Sequence, residues 1–403
     1  MKKSAAIIGG GITGLTTAYF LLKKGIKATI FERQEQLGGL AAGFKFENSY
    51  LEKFYHHFFS QDKQAVQLLS ELGISDKLYW AYPKMGFFSG NRIYPFTTPL
   101  DLLSFPPLPI ADRIKLGLFS IKAKRIADWR PLEKISAVDW LTNNLGKRIC
   151  EKVWSPLLYA KFGEQADEIP ASWVWARIIA RAKSRSRFGL CEKLGYLKGG
   201  YKVLIDALAD RVTKMGGEIK LNSRVDAYPV SGFDMTIITA PDLYPGKDIK
   251  YAGNICVMVK TRCPVTNYYW TNIGDNNLPF CVMVEQTNAF DDSGYGGYRV
   301  VYLSSYVGHE GPEWKMSDQE IYRRYLEGLK TINPEFEDKN LSGYSVFRAK
   351  YAQPIPTLGY SKKIPSFHIA KDLFLVSNTQ IYPQDRGINA SIRLAKWFVS
   401  NLA

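Results

Sequence analysis

The run Ser4-Ala5-Ala6-Ile7-Ile8-Gly9-Gly10-Gly11-Ile12-Thr13-Gly14-Leu15 decides the fold. An apolar tetrad leads straight into G-x-G-x-x-G (Gly9, Gly11, Gly14), and an apolar helical stretch follows until Lys24-Gly25. A second apolar run, Ala28-Thr29-Ile30-Phe31, comes next, with Glu32 at its end, eighteen residues past Gly14. Strand, glycine turn, helix, strand and acid are in the order of a Rossmann-like dinucleotide cradle. Gly9 permits the tight turn, Gly11 lets the backbone approach a pyrophosphate, and Gly14 lets the helix pack on the strand. Ile12 and Thr13 open the helix, whose N-terminus faces the phosphates. Glu32 is placed to accept hydrogen bonds from an adenosine ribose and would repel a 2'-phosphate, which disfavours NADP even with Arg33 alongside.

The same stretch carries a false signal. Lys2 and Lys3 precede nineteen uncharged residues, Ser4 to Leu22, as in a signal peptide or a membrane span. Four glycines and three threonines interrupt that run, and it continues into a turn and a second strand instead of a cleavage site. The whole chain has 403 residues, 46% hydrophobic and 14% aromatic, which excludes disorder and calls for two or more domains. The net charge of +15 is concentrated in the first half: residues 1 to 200 hold 30 basic and 17 acidic side chains, and residues 113 to 198 alone hold 18 and 8. An anionic neighbour for that region is expected. The five cysteines, Cys150, Cys191, Cys256, Cys263 and Cys281, are odd in number and lack C-x-x-C spacing, which fits a reduced, cytoplasmic compartment. With four histidines and no cysteine partner at ligand spacing, no structural metal is expected.

Past Glu32, the stretch Arg33-Gln34-Glu35-Gln36-Leu37-Gly38-Gly39-Leu40-Ala41-Ala42 places a glycine pair six residues after the acid. This resembles the FAD-binding signature of the amine oxidase, protoporphyrinogen oxidase and phytoene desaturase superfamily, in which Gly38 and Gly39 would also lie against the flavin's phosphates. The family's common arginine after the pair is Leu40 here. Glu192 to Tyr201, the helical run Val203 to Met215, Gly216-Gly217-Glu218-Ile219 and Val225 are similar to the segment that returns the family's chain to the FAD domain, with the Val225 backbone pairing with adenine. Leu373 to Ser377 and Tyr382-Pro383-Gln384-Asp385-Arg386-Gly387-Ile388-Asn389 resemble the closing motif, which opens the last helix against the flavin. The resemblance therefore implies FAD, held by these residues from Gly9 to Asn389.

Because FAD-type pieces occur at the start, middle and end, the remainder must be inserted. The expected fold class is α/β, α+β overall, with a Rossmann-like FAD-binding domain (1–80, 194–250, 340–403), an inserted antiparallel-sheet substrate domain (81–110, 251–339) and a helical subdomain (111–193). In the helical part, Ser136 to Asp139 reads as a capping box opening Ala137 to Leu145, and Pro170-Ala171-Ser172 starts a helix on which Arg177, Arg181 and Arg185 recur every four residues. In the sheet part, Ile255 to Lys260, Tyr268 to Thr271, Phe280 to Glu285, Arg299 to Tyr306 and Tyr344 to Lys350 read as strands, broken by a helix Asp318 to Ile332 that Asn333-Pro334 ends.

A flavin carries its own redox chemistry, so the protein need only hold substrate over the ring and exclude water. No Gly-x-Ser-x-Gly or metal motif competes. Two positions are assigned catalytic roles: His57, in the aromatic stretch Leu51 to Phe59, since only one of His56 and His57 can face inward on a strand, and Arg348. Arg92 and Tyr382 are the substrate-binding candidates, a cation among aromatics being suited to clamp a carboxylate or phosphate. Ile110, Ile114, Leu118 and Ile121 share one helical face beside Arg113, Lys115, Lys122, Lys124 and Arg125. Either this is an ordinary amphipathic helix with a solvated basic face, or it rests on an anionic membrane surface. Nucleic acid is not expected, for want of a binding motif. The expected function is an FAD-dependent oxidoreductase taking hydride from a carbon centre of a small, apolar or lipid-linked substrate. The rival is a sugar-nucleotide isomerase similar to UDP-galactopyranose mutase, whose His-x-Phe and Gly-Lys-x-Tyr-Pro stretches His57-Phe58-Phe59 and Asn91 to Phe96 resemble. A non-catalytic flavin- or membrane-binding scaffold is the third class. Oligomeric state is not encoded in these patterns.

Overall fold

The computed structural model describes residues 3–185, 191–243, 249–275, 277–291 and 293–402. It divides into two compact units: Met1–Tyr79, Tyr196–Ile249 and Ser361–Ala403 form the first, and Trp80–Gly195 with Lys250–Tyr360 the second.

The first unit is built on a six-stranded sheet in the order Glu218–Lys220, Lys27–Phe31, Ser4–Ile8, Met235–Ile238, Leu373–Leu375, His368–Ala370. All neighbours are parallel except the last pair. Ala5, Ala6 and Ile7 are fully buried, as a strand covered on both faces requires. The glycine motif leads directly into the helix Ile12–Lys23, and Gly14 lets that helix reach the sheet: a Cβ there would stand 1.9 Å from the Gly9 carbonyl oxygen. The closing helix Ile388–Ser400 packs against Ile12–Lys23 and also against Lys63–Glu71, where Asn389 Oδ1 accepts the Ala65 N–H at 3.0 Å.

The second unit holds a seven-stranded sheet in the order Leu341–Pro354, Tyr251–Thr261, Arg299–Val307, Val282–Glu285, Trp270–Ile273, Met85–Ser89, Arg92–Pro95. It is covered on both faces. Phe88 enters a core with Ile255, Val257 and Tyr325 of the helix Asp318–Ile332, while its neighbour Phe87 enters the core formed by the helices between Pro99 and Ser184. Ser317 caps Asp318–Ile332 in a reciprocal box with Glu320, and the helix stops at Asn333 as read from the sequence.

Three details depart from the expectations. The sheet is mixed: Trp270–Ile273 runs parallel to Met85–Ser89, which the intervening helical segment makes possible as a long crossover. The boundary placed at 340 lies at Tyr360, because Leu341–Pro354 is a strand of this sheet and pairs with Tyr251–Thr261 along its length. Arg185 lies outside the helix Ala171–Ser184 in extended conformation, so the arginine stripe ends at Arg181, which faces Glu192 at 3.5 Å. Among the described residues no group of His, Cys, Asp and Glu could hold a metal ion, and no helix is long and apolar enough to cross a membrane.

Candidate functional site

The residues predicted to hold the cofactor all fall in the first unit. Gly9 closes the turn after the first strand at φ +112°, and its N–H donates to the Phe31 carbonyl. Gly11 is the N-cap of Ile12–Lys23 at φ −75°, with no side chain capping the helix and no acid in its first turn. The amides of that turn are therefore open to an external anion. A Cβ on Gly11 would find its nearest atoms, Gly38 O and Gly39 Cα, at 3.9 Å. Space next to this glycine is thus clear of protein, and a side chain would fill it.

The second glycine pair lies directly against the first motif. Gly11 and Gly38 form a parallel bridge, and the Gly38 N–H donates to Gly10 O at 2.9 Å. Gly38 sits at φ +114° and any Cβ would strike Ile205 and Ala42, so only glycine suits the position. Gly39 begins a short turn containing Leu40, which is partly buried. Glu32, buried at the strand end, receives the Gly10 N–H at Oε2 (2.7 Å) and the Gln34 N–H at Oε1 (2.8 Å), which orients its carboxylate over the loop. Arg33 pairs with Asp242, a partner 209 residues away that sequence patterning had no means to foresee. Val225 packs against Ile8, Ile238 and Leu375, at the carboxyl ends of the parallel strands where such sheets bind ligands.

At the chain's end Gly387 caps Ile388–Ser400 in fully extended conformation, again with no side-chain cap and no acid in the first turn, and a Cβ there meets nothing within 4 Å. Ile388 is buried, Asp385 Oδ1 accepts the Arg386 N–H at 3.1 Å, and Tyr382 is half-buried. Arg386, inside the closing motif, is partly buried, and its Nε has no hydrogen-bond partner among the described residues. A buried guanidinium nitrogen left without an acceptor calls for one from outside the chain.

Facing it is His56. Burial, reinforced by the nearby Arg386 charge, holds its imidazole well below the ordinary range, at about 4, against the opposing pull of the Phe54 carbonyl that its Nδ1 contacts. Its ring lies 5.8 Å from that of Tyr201, while His57 packs edge-on to Phe59 at 5.0 Å. His56 and His57 precede the short strand Phe58–Phe59 and lie on no strand, so the alternation expected of them does not apply: both are partly buried, and it is His56 that the Arg386 charge reaches. Beneath the cluster lies Glu52, fully enclosed, accepting the Tyr196 hydroxyl at 2.8 Å and the Tyr201 amide. Burial raises its carboxyl to about 7.

Two expectations in the second unit need correction. Two of the Arg348 nitrogens are committed to the start of Asp318–Ile332, pairing with Asp318 and donating to the Met316 carbonyl at 2.9 Å, so it ties strand to helix and is withdrawn as a catalytic residue; its buried Nε, like that of Arg386, has no partner among the described residues. Arg92 is exposed beside the hairpin turn of Gly90 and Asn91, which have φ of +58° and +59°. The aromatic neighbours that suggested a pocket, Tyr94 and Phe96, turn instead into the core around Phe105.

A parallel sheet, two uncapped glycine-led helices and a buried acid at the strand end define an FAD-type dinucleotide-binding protein. Residues 12–227, more than half of the chain, match the flavin containing amine oxidoreductase family, and the chain belongs to that family. It is 27% identical over 243 residues to the 15-cis-phytoene desaturase of Arabidopsis thaliana (54% of this chain, 41% of the relative). To the coproporphyrinogen III oxidase of Propionibacterium freudenreichii it is 23% identical over 319 residues (64% and 58%). The chain thus spans about half the length of the curated relatives it matches. An oxidoreductase from Methanosarcina mazei (TM-score 0.74, 15% identity, 99% of this chain and 100% of the other) shares its fold. So does reduced UDP-galactopyranose mutase (0.74, 14%, 99% and 93%). The family resemblance and the flavin expected from it are borne out.

Proposed function

We propose that this protein is an FAD-dependent oxidoreductase that takes hydride from a carbon centre of an apolar or lipid-linked substrate, in the manner of a desaturase or a porphyrinogen oxidase. The observation that carries the reading is the cradle of Gly11, Gly38, Gly39 and Gly387: open backbone at two helix N-termini in one unit, in a chain whose sequence relatives are a desaturase and an oxidase. Bound FAD supplies the hydride acceptor. The chain's own residues have narrower tasks. First-turn amides of Ile12, Thr13 and Gly14 hold the diphosphate, and Glu32, already aimed by Gly10 and Gln34, takes the ribose hydroxyls. The uncapped start of Ile388–Ser400 would present its positive end to the bound group. Arg386 would add a fixed positive charge beside the bound group, and neutral His56 would contribute a hydrogen-bonding group without a second cation.

The isomerase alternative shares fold and cofactor but needs cations for a sugar diphosphate. Arg348 is bound to Asp318 and Met316, and Arg92 is exposed, so neither supports it. Anaerobic mixing of FAD-loaded protein with a polyene or a porphyrinogen tests the proposal: bleaching of the flavin absorbance is expected, with recovery on adding oxygen or a quinone. Ring-contracted product from UDP-hexopyranoses on dithionite-reduced protein, with no bleaching by any carbon donor, would overturn it.

A further inference from the structure

The helices Pro99–Leu103 and Ile110–Lys124 of the second unit present their apolar residues the wrong way round for a soluble protein. Leu100, Leu103, Ile110, Ile114, Leu118 and Ile121 are all between 46% and 68% exposed. The opposite face of Ile110–Lys124 is also apolar, and it is the one that packs: Leu116, Phe119 and Ala123 are buried, Phe119 lies 4.9 Å from Trp140, and Trp175 Nε1 donates to the Ala123 carbonyl at 3.0 Å. An ordinary amphipathic helix would have buried Ile110, Ile114, Leu118 and Ile121 and put polar groups outside. This helix is apolar on both sides.

The outer stripe is framed by charge. At 3.6 residues per turn, the four residues Ile110, Ile121, Ile114 and Leu118 occupy an arc of about 80°, with Lys115 and Lys122 flanking one edge and Arg113 and Lys124 the other. Arg125 follows at the helix end. The segment's two carboxylates are engaged elsewhere: Asp101 caps Thr98, and Asp112 pairs with Arg148. Among the described residues no acidic side chain pairs with Lys115, Lys124 or Arg125. Arg113 clasps the two helices into one face, donating to Leu103 O at 2.7 Å and Leu108 O at 2.6 Å, while Leu102 packs against Gly117.

We infer that this face docks on an anionic phospholipid membrane, lying in the plane of the interface with the isoleucine and leucine side chains in the acyl boundary and the lysines among the headgroups. An apolar stripe framed by cations is the arrangement that buries hydrocarbon and neutralises lipid phosphate together. A second copy of the chain fits poorly, since a twofold contact through this stripe would bring one set of cations against the other. The inference goes beyond the redox reading and does not depend on it.

Flotation of the full-length, FAD-loaded protein with vesicles tests it. Binding is expected to phosphatidylcholine vesicles containing phosphatidylglycerol, and to weaken as salt is raised. Ile114→Ser with Leu118→Ser, both exposed and so harmless to folding, should lower vesicle affinity by at least about tenfold. Lys115→Glu with Lys124→Glu should lower it by at least about tenfold as well, each cation near an anionic surface being worth roughly fivefold. A third double variant, Leu116→Ser with Ala123→Ser on the buried face, should lose stability instead, as a control for fold damage. The inference is overturned if the protein ignores anionic vesicles, if it binds neutral vesicles equally, or if Ile114→Ser with Leu118→Ser leaves binding unchanged. It is overturned too if that pair's only effect is to dissolve a concentration-dependent dimer in light scattering.

Discussion

Replacing Gly11 by valine separates two jobs that glycines perform in the same loop. At Gly11 the backbone has φ −75°, open to any residue, and a Cβ would have no protein atom nearer than 3.9 Å. The cofactor-free protein should therefore lose no more than about 1 kcal/mol, the cost of valine at a helix N-cap. The valine methyls would, however, occupy the space through which a diphosphate reaches the first-turn amides. Two charge-assisted hydrogen bonds lost there, at about 1.5–3 kcal/mol each, correspond to a Kd raised roughly a hundredfold to ten-thousandfold. Gly14→Ala is the contrast: its Cβ would lie 1.9 Å from the Gly9 carbonyl oxygen, an overlap only backbone displacement can relieve, costing several (roughly 3 or more) kcal/mol of fold stability. Visible flavin absorbance after gel filtration reads the first effect. Thermal melts with and without added FAD read the second, because excess ligand at about a hundred times Kd stabilises by about 2.7 kcal/mol. Wild type should melt higher with FAD, Gly11→Val should melt at the cofactor-free temperature in both cases, and Gly14→Ala should be unstable in both. Full flavin retention by Gly11→Val would mean that the cradle is elsewhere.

Glu52, raised by burial to about 7 from an ordinary 4.5, favours the fold in its neutral form, so its contribution is complete below pH 4.5 and is lost as pH rises through about 7. Glu52→Gln should flatten denaturant-measured stability between those pH values by up to about 3 kcal/mol, and an unchanged slope would refute the assignment. His56 works in the other direction: its pKa, lowered to about 4 from 6.5, gives stability present above pH 6.5 and lost as pH falls through about 4. Because Arg386 contributes to that lowering after burial does, Arg386→Gln should raise the His56 pKa in an NMR titration and weaken FAD binding by about tenfold, one charge-assisted contact being removed. Arg348→Met should reduce stability by about 1–3 kcal/mol, yet leave flavin content and anaerobic flavin reduction within about twofold of wild type; a collapse of reduction at full flavin content would restore its catalytic role.

How much of this was legible in the chain varies with the range of the interaction. The strand-turn-helix of Ser4 to Lys23 and the stop at Asn333 are local, governed by glycine geometry, apolar periodicity and the geometry imposed by proline, and they were readable directly. Glu32 was readable by spacing, since a strand of known rise delivers its end to the loop. The histidine pair was not readable: alternation needs a strand, and His56 and His57 precede one, so their surroundings were set by Tyr201, Phe59 and Arg386 instead of by period. Arg348 misled because a cation amid aromatics looks alike in a pocket and at a helix start; only the arrival of Asp318 and Met316 tells them apart.

The face formed by Ile110, Ile114, Leu118 and Ile121 shows the limit most clearly. Helical periodicity determined by itself that these four side chains share a stripe, just as the spacing of Gly9, Gly11 and Gly14 between strand and helix determined that the amino-terminal turn opens a nucleotide cradle. Which stripe met the core was settled by competition with Leu116, Phe119 and Ala123 for Trp140 and Trp175, a matter of packing against segments far along the chain. Covalent order sets what each element can bury, whereas only the assembled neighbours decide which face is buried and which is left to find a partner.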